Sequence, residues 1–314
     1  MIIDDNVPVL EWLSSNEVPY DISKLCRVAA KHNSYSVLKW ALHRGAALTP
    51  NLLNIAIRNE HLELVRWMHE EKHVPFERMS MAWATNTGNL ELLKYVVKKN
   101  ADIHVEALKF AAIAGSETMV RWLRDELKRP WVFRVCAGAA RGGHLSLLQY
   151  LRSQDCPWDR STTYCAAEHG HLSVLQWAVD NGCPLVLTDN LLAAIIKKGH
   201  LDVLRFLCER DPTYRYKSTE LSITYAARNG HFAIVRFLCP LQTSQFRTTL
   251  LKIIVRSRKP SALKTIQWLI EQTHCEPPSK NELDLNRKTM RLDVVKYLEK
   301  KELMTKSKKR KIRN

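Results

Sequence analysis

The sequence predicts an all-α solenoid of about eleven short helix-turn-helix units, and three observations lead to it. The phrase Gly-His-Leu-x-x-Leu-x-aromatic recurs at Gly143 to Tyr150, Gly170 to Trp177 and Gly199 to Phe206, and with Phe232 in place of Leu at Gly230 to Phe237. Degenerate copies extend an aromatic anchor along the chain: Trp12, Trp40, Trp67, Tyr95, Trp122, Tyr150, Trp177, Phe206, Phe237, Trp268 and Tyr297, spaced 27 to 31 residues apart. Within each copy the apolar residues follow a helical rather than an alternating period. The repeats run from about residue 8 to 300 and leave no room for a separate catalytic domain.

Residues 161 to 188 illustrate one unit. Ser161 is the expected N-cap, because its hydroxyl can accept a hydrogen bond from an unpaired amide of the first turn. A short helix over Thr162 to His169 follows, with Ala166 and Ala167 keeping its surface small, and Gly170 supplies the positive φ that ends it. Six of the ten glycines share that slot. The second helix carries Leu172, Val174, Leu175, Trp177 and Ala178 on one face, which has to be buried against neighbouring units. It stops at Asn181-Gly182-Cys183-Pro184, where proline cannot continue a helix. Stacked pairs of this kind give a long concave face. The first unit is incomplete: it begins at its second helix, with Val9, Leu10, Trp12 and Leu13. The solenoid is expected over residues 1–303, with a basic, disordered tail at 304–314.

Composition sets the class. The chain has 314 residues, 46% hydrophobic and 25% charged, which is a globular balance. Its longest apolar stretches, such as Leu191 to Ile196, fall far short of the roughly 18 to 20 residues a bilayer needs, so no membrane partner is expected. The start, Met1-Ile2-Ile3-Asp4-Asp5, lacks the basic and apolar regions of a secretory signal, which points to an intracellular protein of the cytoplasm, the nucleus or both. Eight cysteines without CxxC spacing are then expected as free thiols. The net charge is +16, of which residues 301 to 314 supply +6 through seven basic residues against Glu302. The remaining excess predicts an acidic partner or nucleic acid, or merely solubility.

The phrase Ala-Ala-x-x-Gly-His at Ala139 to His144, Ala166 to His171 and Ala226 to His231 resembles the heart of the ankyrin repeat. Lys99-Asn100-Ala101-Asp102-Ile103 is similar to the loop between repeats in that family, and the Cys-Pro loops at Cys156 and Cys183 resemble short-period ankyrin proteins of protists and large DNA viruses. The resemblance implies a protein-interaction scaffold. Two departures matter. The usual period is about 33 residues, so the shorter units leave little room for projecting β-turn fingers. Ser161-Thr162-Thr163-Tyr164 also stands where the family opens with Thr-Pro-Leu-His. Contacts are therefore expected from the inner helices.

Repeat-locked residues are read as structure. His61, His144, His171, His200 and His231 recur once per layer, whereas metal ligands must converge within a few ångströms, so they stabilise turns. Cysteines locked to the repeat are packing residues, and the tryptophans among the anchors belong to the core. Trp158, outside that slot, is the candidate exposed contact. With no phosphate-cradling Gly-rich loop, GxSxG elbow, HExxH pair or paired catalytic acids, the chain is expected to be no enzyme and to need no cofactor or metal.

Charge falls in two columns. The position before each anchor includes Arg66, Lys94, Arg205 and Lys296, each three residues after an acid (Glu63, Glu91, Asp202 and Asp293), the pattern of a solvated helix face. The last two positions of each first helix carry basic residues in seven of ten units, among them Lys31, Arg58, Arg141, Lys197, Lys198 and Arg228, with the weaker matches Lys259-Pro260 and Lys288-Thr289 and a single acid, Glu168. That ridge is expected on the concave face, where it would focus positive potential on an acidic protein partner. The alternative is nucleic acid, neutralised by the ridge and the tail. The chain is expected to act as a monomer. Lys308, Lys309, Arg310 and Lys311 resemble a nuclear-import signal. Deleting residues 306–314 should abolish nuclear accumulation of a fluorescent fusion, and unchanged accumulation would discard that role.

Overall fold

The computed structural model describes residues 7–99, 106–216, 219–239, 243–272, 275 and 290–301. The Lys308 to Lys311 motif, the Asn100 to Ile103 loop and Lys288-Thr289 lie outside them. Every described element is helical, and none is long and apolar enough to cross a membrane. The chain forms two compact units, Met1–Thr162 with Asp180–Cys183, and Thr163–Val179 with Pro184–Asn314.

In the first unit α1 (Val7–Ser15) is followed by the pairs α2 (Ile22–Lys31) and α3 (Tyr35–His43), then α4 (Pro50–Arg58) and α5 (Leu62–Arg66), α5 continuing as a π turn over Trp67–Glu71. Next come α6 (Arg78–Thr87) and α7 (Leu90–Lys98), α8 (Ala107–Ala114) and α9 (Glu117–Asp125), and α10 (Phe133–Gly142) and α11 (Leu145–Ser153). The first helices α2, α4, α6, α8 and α10 pack in succession, and each packs against the second helix of its own pair, as in a solenoid. After α12 (Arg160–His169), the second unit holds α13 (Leu172–Asp180), α14 (Asp189–Lys198), α15 (Leu201–Arg210), a short α16 (Thr213–Tyr216), α17 (Glu220–Asn229), α18 (Phe232–Leu238), α19 (Ser244–Val255), α20 (Ala262–Gln272) and α21 (292–301). There α14, α17 and α19 pack in succession. The extra turn of α16 lies within the lengthened interval between Phe206 and Phe237.

Capping starts these helices where propensity alone would not. Asp21, Asn89 and Ser116 accept from the amides of Lys24, Leu92 and Met119 at 2.9, 3.1 and 3.3 Å. Thr49, Thr188 and Thr219 do the same for α4, α14 and α17. In the repeat used as the example above, the cap is Asp159 rather than Ser161. Helix α12 already begins at Arg160, and the Asp159 carboxylate accepts both the amide of Ser161, at 2.9 Å, and its hydroxyl. The Ser161 hydroxyl is thereby a donor to that carboxylate rather than an acceptor for a first-turn amide.

The turn that ends the first helices before α19 holds a residue of positive φ, from Asn33 (58°) and Glu60 (63°) through to Gly230 (84°), whereas α19 ends at Arg256 with φ −82°. The following residue donates its amide to a carbonyl five positions back: His144 to Ala139 at 3.0 Å, His171 to Ala166 at 2.9 Å, His231 to Ala226 at 2.8 Å. The recurrent alanines are therefore both the carbonyl acceptors and the packing surface, and Ala139, Ala140, Ala166, Ala167, Ala226 and Ala227 are fully buried. Helices α8 and α10 approach closely at Gly138, where an added Cβ would stand 2.7 Å from the Lys109 carbonyl oxygen, and closer still at Gly142, against the Ile113 carbonyl.

The core of the second helices is the apolar pair two and three residues before each anchor. Leu64 and Val65, Leu92 and Leu93, Leu147 and Leu148, and Val174 and Leu175 are buried. Trp40 and Trp67 are buried, but Trp122, Tyr150, Trp177, Phe206 and Phe237 are only half-buried. Trp12 is 61% exposed, which corrects its assignment to the core; among the described residues α1 packs on α3.

At Gly199, φ is +92° and an added Cβ would stand 2.3 Å from the His231 ring, whereas at Gly182, φ +84°, nothing lies within 4 Å. Gly182→Ala should thus cost about 1 kcal/mol of backbone strain and Gly199→Ala at least about 2 kcal/mol, because the ring must also move. Urea denaturation of the two variants checks the difference.

Candidate anion-binding face

The exposed side of the first helices carries the ridge. In the first unit Lys24, Arg27 and Lys31 sit on one face of α2 at helical spacing, and Arg58 faces them from the end of α4. Together with Val28, Ile55 and Asn59 they line a groove of about 540 Å³. In the second unit Arg228 at the end of α17 and Arg256, Arg258 and Lys259 beyond α19 line a groove of about 520 Å³ with Ala227, Ile253 and Ser257. All eight cationic side chains are exposed, and neither groove has a carboxylate among its lining residues. No carboxylate among the described residues pairs with any of the eight.

The expected ridge residues divide. Lys31, Arg58 and Arg228 lie in these grooves. Arg141 is exposed at the last turn of α10, outside both. Lys197 is exposed, with its ammonium 5.5 Å from the Tyr225 ring centre. Lys198 is not an unpaired cation: its ammonium meets the Glu168 carboxylate at 2.9 Å, across one repeat. Trp158 is not an open contact either. It is half-buried, with the Arg152 guanidinium 4.4 Å over its ring, and that guanidinium also donates to the Cys156 carbonyl at 2.6 Å. Lys259, expected only by weaker alignment, packs its stem on Gly230 as the histidine of the next repeat packs on the turn glycine elsewhere.

Aromatic rings stand beside the cations, which inspection of the ridge column alone missed. Arg58 lies 4.3 Å over the Trp83 ring, and Trp83 and Tyr225 both sit five residues before the turn glycine of their repeats. That column was legible in the sequence.

The opposite column is a solvated face, with Arg66–Glu63 and Lys94–Glu91 pairs at 3.5 and 3.1 Å. Asp293 pairs instead with Arg291 at 2.9 Å. Arg66, Arg121 and Arg205 also lie over the anchor ring of the following repeat, Tyr95, Tyr150 and Phe237, at 5.4, 4.1 and 5.9 Å. Glu70 accepts from both the Tyr95 hydroxyl at 3.1 Å and Lys99 at 2.9 Å, and Glu271 repeats the arrangement with Tyr297 and Lys301. Burial and the Glu70 bond push the Tyr95 hydroxyl up to about 12.

The recurrent histidines join repeats. His61 and His144 donate Nε2–H to the carbonyls of Lys31 and Ile113, each at 2.9 Å, in the last turn of the preceding first helix. The partner is a carbonyl, so the proton must be on that nitrogen. Among the described residues no cluster of His, Cys, Asp or Glu could hold a metal ion. All eight cysteines are thiols outside any disulfide, and seven are buried. Cys183 donates to the Asp159 carbonyl at 3.3 Å, and the bond to Cys156, with burial, pushes the Cys136 thiol up.

No protein-family model and no curated protein matches the chain. Among solved structures it is similar to the pentatricopeptide repeat protein PPR10 in complex with an 18-nt psaJ RNA element and to a cysteine-to-serine variant in the same complex. Each is 15% identical, with a TM-score of 0.38 over 90% of this chain and 48% of that one, so the chain spans about half the length of the structures it matches.

Burial, followed by the charge of Lys198, holds the His200 imidazole below its ordinary value. A histidine depressed in the folded state stabilises fully above its unfolded value near 6.5, and that stability is lost as pH falls from there towards the folded value. Between pH 7.5 and 5.5 the thermal midpoint of the protein should fall, and His200→Gln should flatten the slope.

Proposed function

We propose that the chain is a non-catalytic helical-repeat protein that binds nucleic acid through phosphates seated against the exposed side of its first helices. One observation supports this most: each unit has a groove walled by four cationic side chains with no carboxylate opposite. Elsewhere the molecule pairs its charges locally, as at Glu63, Glu91, Glu117 and Glu168. Cations held together without internal partners repel one another, a cost that a polyanion removes on binding while its counterions are released. The turn geometry, with alanine carbonyls bonded beyond a left-handed residue and histidine reaching the preceding repeat, supports reading the units as short-period ankyrin-like repeats. The same cations would serve an acidic protein segment, which is the competing ligand.

Salt dependence separates the two. The affinity of a 20-nucleotide oligomer should fall linearly on a log–log plot against salt, with a slope of about −0.7 per phosphate neutralised on a single strand. Lys31→Glu with Arg58→Glu, and Arg228→Glu with Arg256→Glu, should each flatten that slope by about 1.4, two phosphate contacts at about 0.7 each. If no oligomer binds at about 50 mM salt, while wild type captures proteins in a nuclease-resistant way that these variants lose, the acidic-protein reading replaces this one.

A further inference from the structure

The cations alone do not distinguish a single strand from a duplex; the residues between them do. On α17, Leu221 and Tyr225 are 63% and 40% exposed and lie one helical turn apart, with Arg228 one turn further along the same face. On α6 the same two positions carry Met79, 48% exposed, and the half-buried Trp83. Apolar side chains left open among unpaired cations lose free energy to water unless a ligand covers them. In both places a cation of the preceding repeat lies over the ring: Lys197 over Tyr225 at 5.5 Å and Arg58 over Trp83 at 4.3 Å.

We propose, resting on the nucleic-acid reading above, that the ligand is single-stranded and that each unit by itself seats an unpaired base, one unit at Trp83 and the other at Tyr225. At Tyr225 the base stacks on the ring, while Lys197 and Arg228 hold the flanking phosphates. At Trp83 the guanidinium of Arg58 covers the indole, so the base stacks on the guanidinium plane, which the indole holds flat. An amphipathic peptide fits the same strips poorly. It needs three apolar anchors at helical spacing, and the third position is Arg228 in one strip and Asn86 in the other. A planar base needs a single ring. A duplex keeps its base faces stacked within itself and gains nothing from either strip.

The test titrates wild type and variants with a fluorescein-labelled 20-nucleotide oligouridylate and with a mixed-sequence duplex of equal length, at fixed salt. Wild type should bind the single strand more tightly. Tyr225→Ala should weaken single-strand binding about ten-fold, the loss of one stacked base, and leave duplex affinity and the salt slope unchanged. Tyr225→Phe should retain wild-type affinity because the ring persists. Arg58→Lys keeps the charge but not the plane, so it should weaken the single strand without flattening the slope. An unchanged thermal midpoint shows that each variant is folded. Equal binding of duplex and single strand by wild type, or equal losses on both with Tyr225→Ala, overturns the inference while the phosphate reading stands. Binding of neither ligand at about 50 mM salt removes both.

Discussion

Most of this fold depends on the left-handed turn that closes the first helices before α19. It fixes three things at once. The reversal brings the second helix back against the first; the next amide satisfies an alanine carbonyl that the helix end would otherwise leave bare; and the turn places a histidine where its ring can reach the preceding repeat. Asn33 and Glu60 hold the conformation although it is strained for residues with a side chain, which shows that the surrounding bonds impose it. The six glycines in the same slot relieve that strain and, at Gly115, Gly170 and Gly199, make room for the histidine ring behind them.

From that turn follows a division of labour between the faces of the repeat. Inward-facing alanines on the first helices and Leu/Val pairs on the second helices supply the dry interior. The outer side of the second helices is held by contacts that cross from one repeat to the next: Arg121 over Tyr150, or Glu70 receiving both Tyr95 and Lys99. With neutralisation and packing assigned to those two surfaces, the exposed side of the first helices does no structural work that needs its charges paired. Lys198, paired with Glu168 one repeat earlier, and Lys109 and Arg134, both paired with Glu106, are exceptions.

The period made the fold legible, because a repeat of helical spacing broken by glycine and proline admits few alternatives. Its details were less visible where two residues competed for one role. Asp159 and Ser161 could both cap α12, and the helix starts directly after Asp159, whose carboxylate takes the amide and the hydroxyl of Ser161. The aromatic anchors stood out in the sequence because of their size, yet a large ring on a short helix reaches the edge of the core, while the smaller Leu/Val pair fills its centre. Pairings across repeats, such as Lys198 with Glu168 or Arg58 with Trp83, are 30 and 25 residues apart and show only when columns are compared one period apart. Trp158 looked available because the sequence gives no sign that Arg152, one turn before the Cys-Pro loop, folds over it.

Placing a cation of one repeat over the ring of the next has a further consequence for how such a surface can change. The chemical unit is the seam, with half its parts from each flanking module. Duplicating a whole module copies a seam complete, whereas exchanging a module for an unrelated one breaks the seams on both sides. Arg58 with Trp83 and Lys197 with Tyr225 are two such seams, one in each compact unit. A lineage built this way would gain seams by tandem duplication and would alter them by paired changes one period apart.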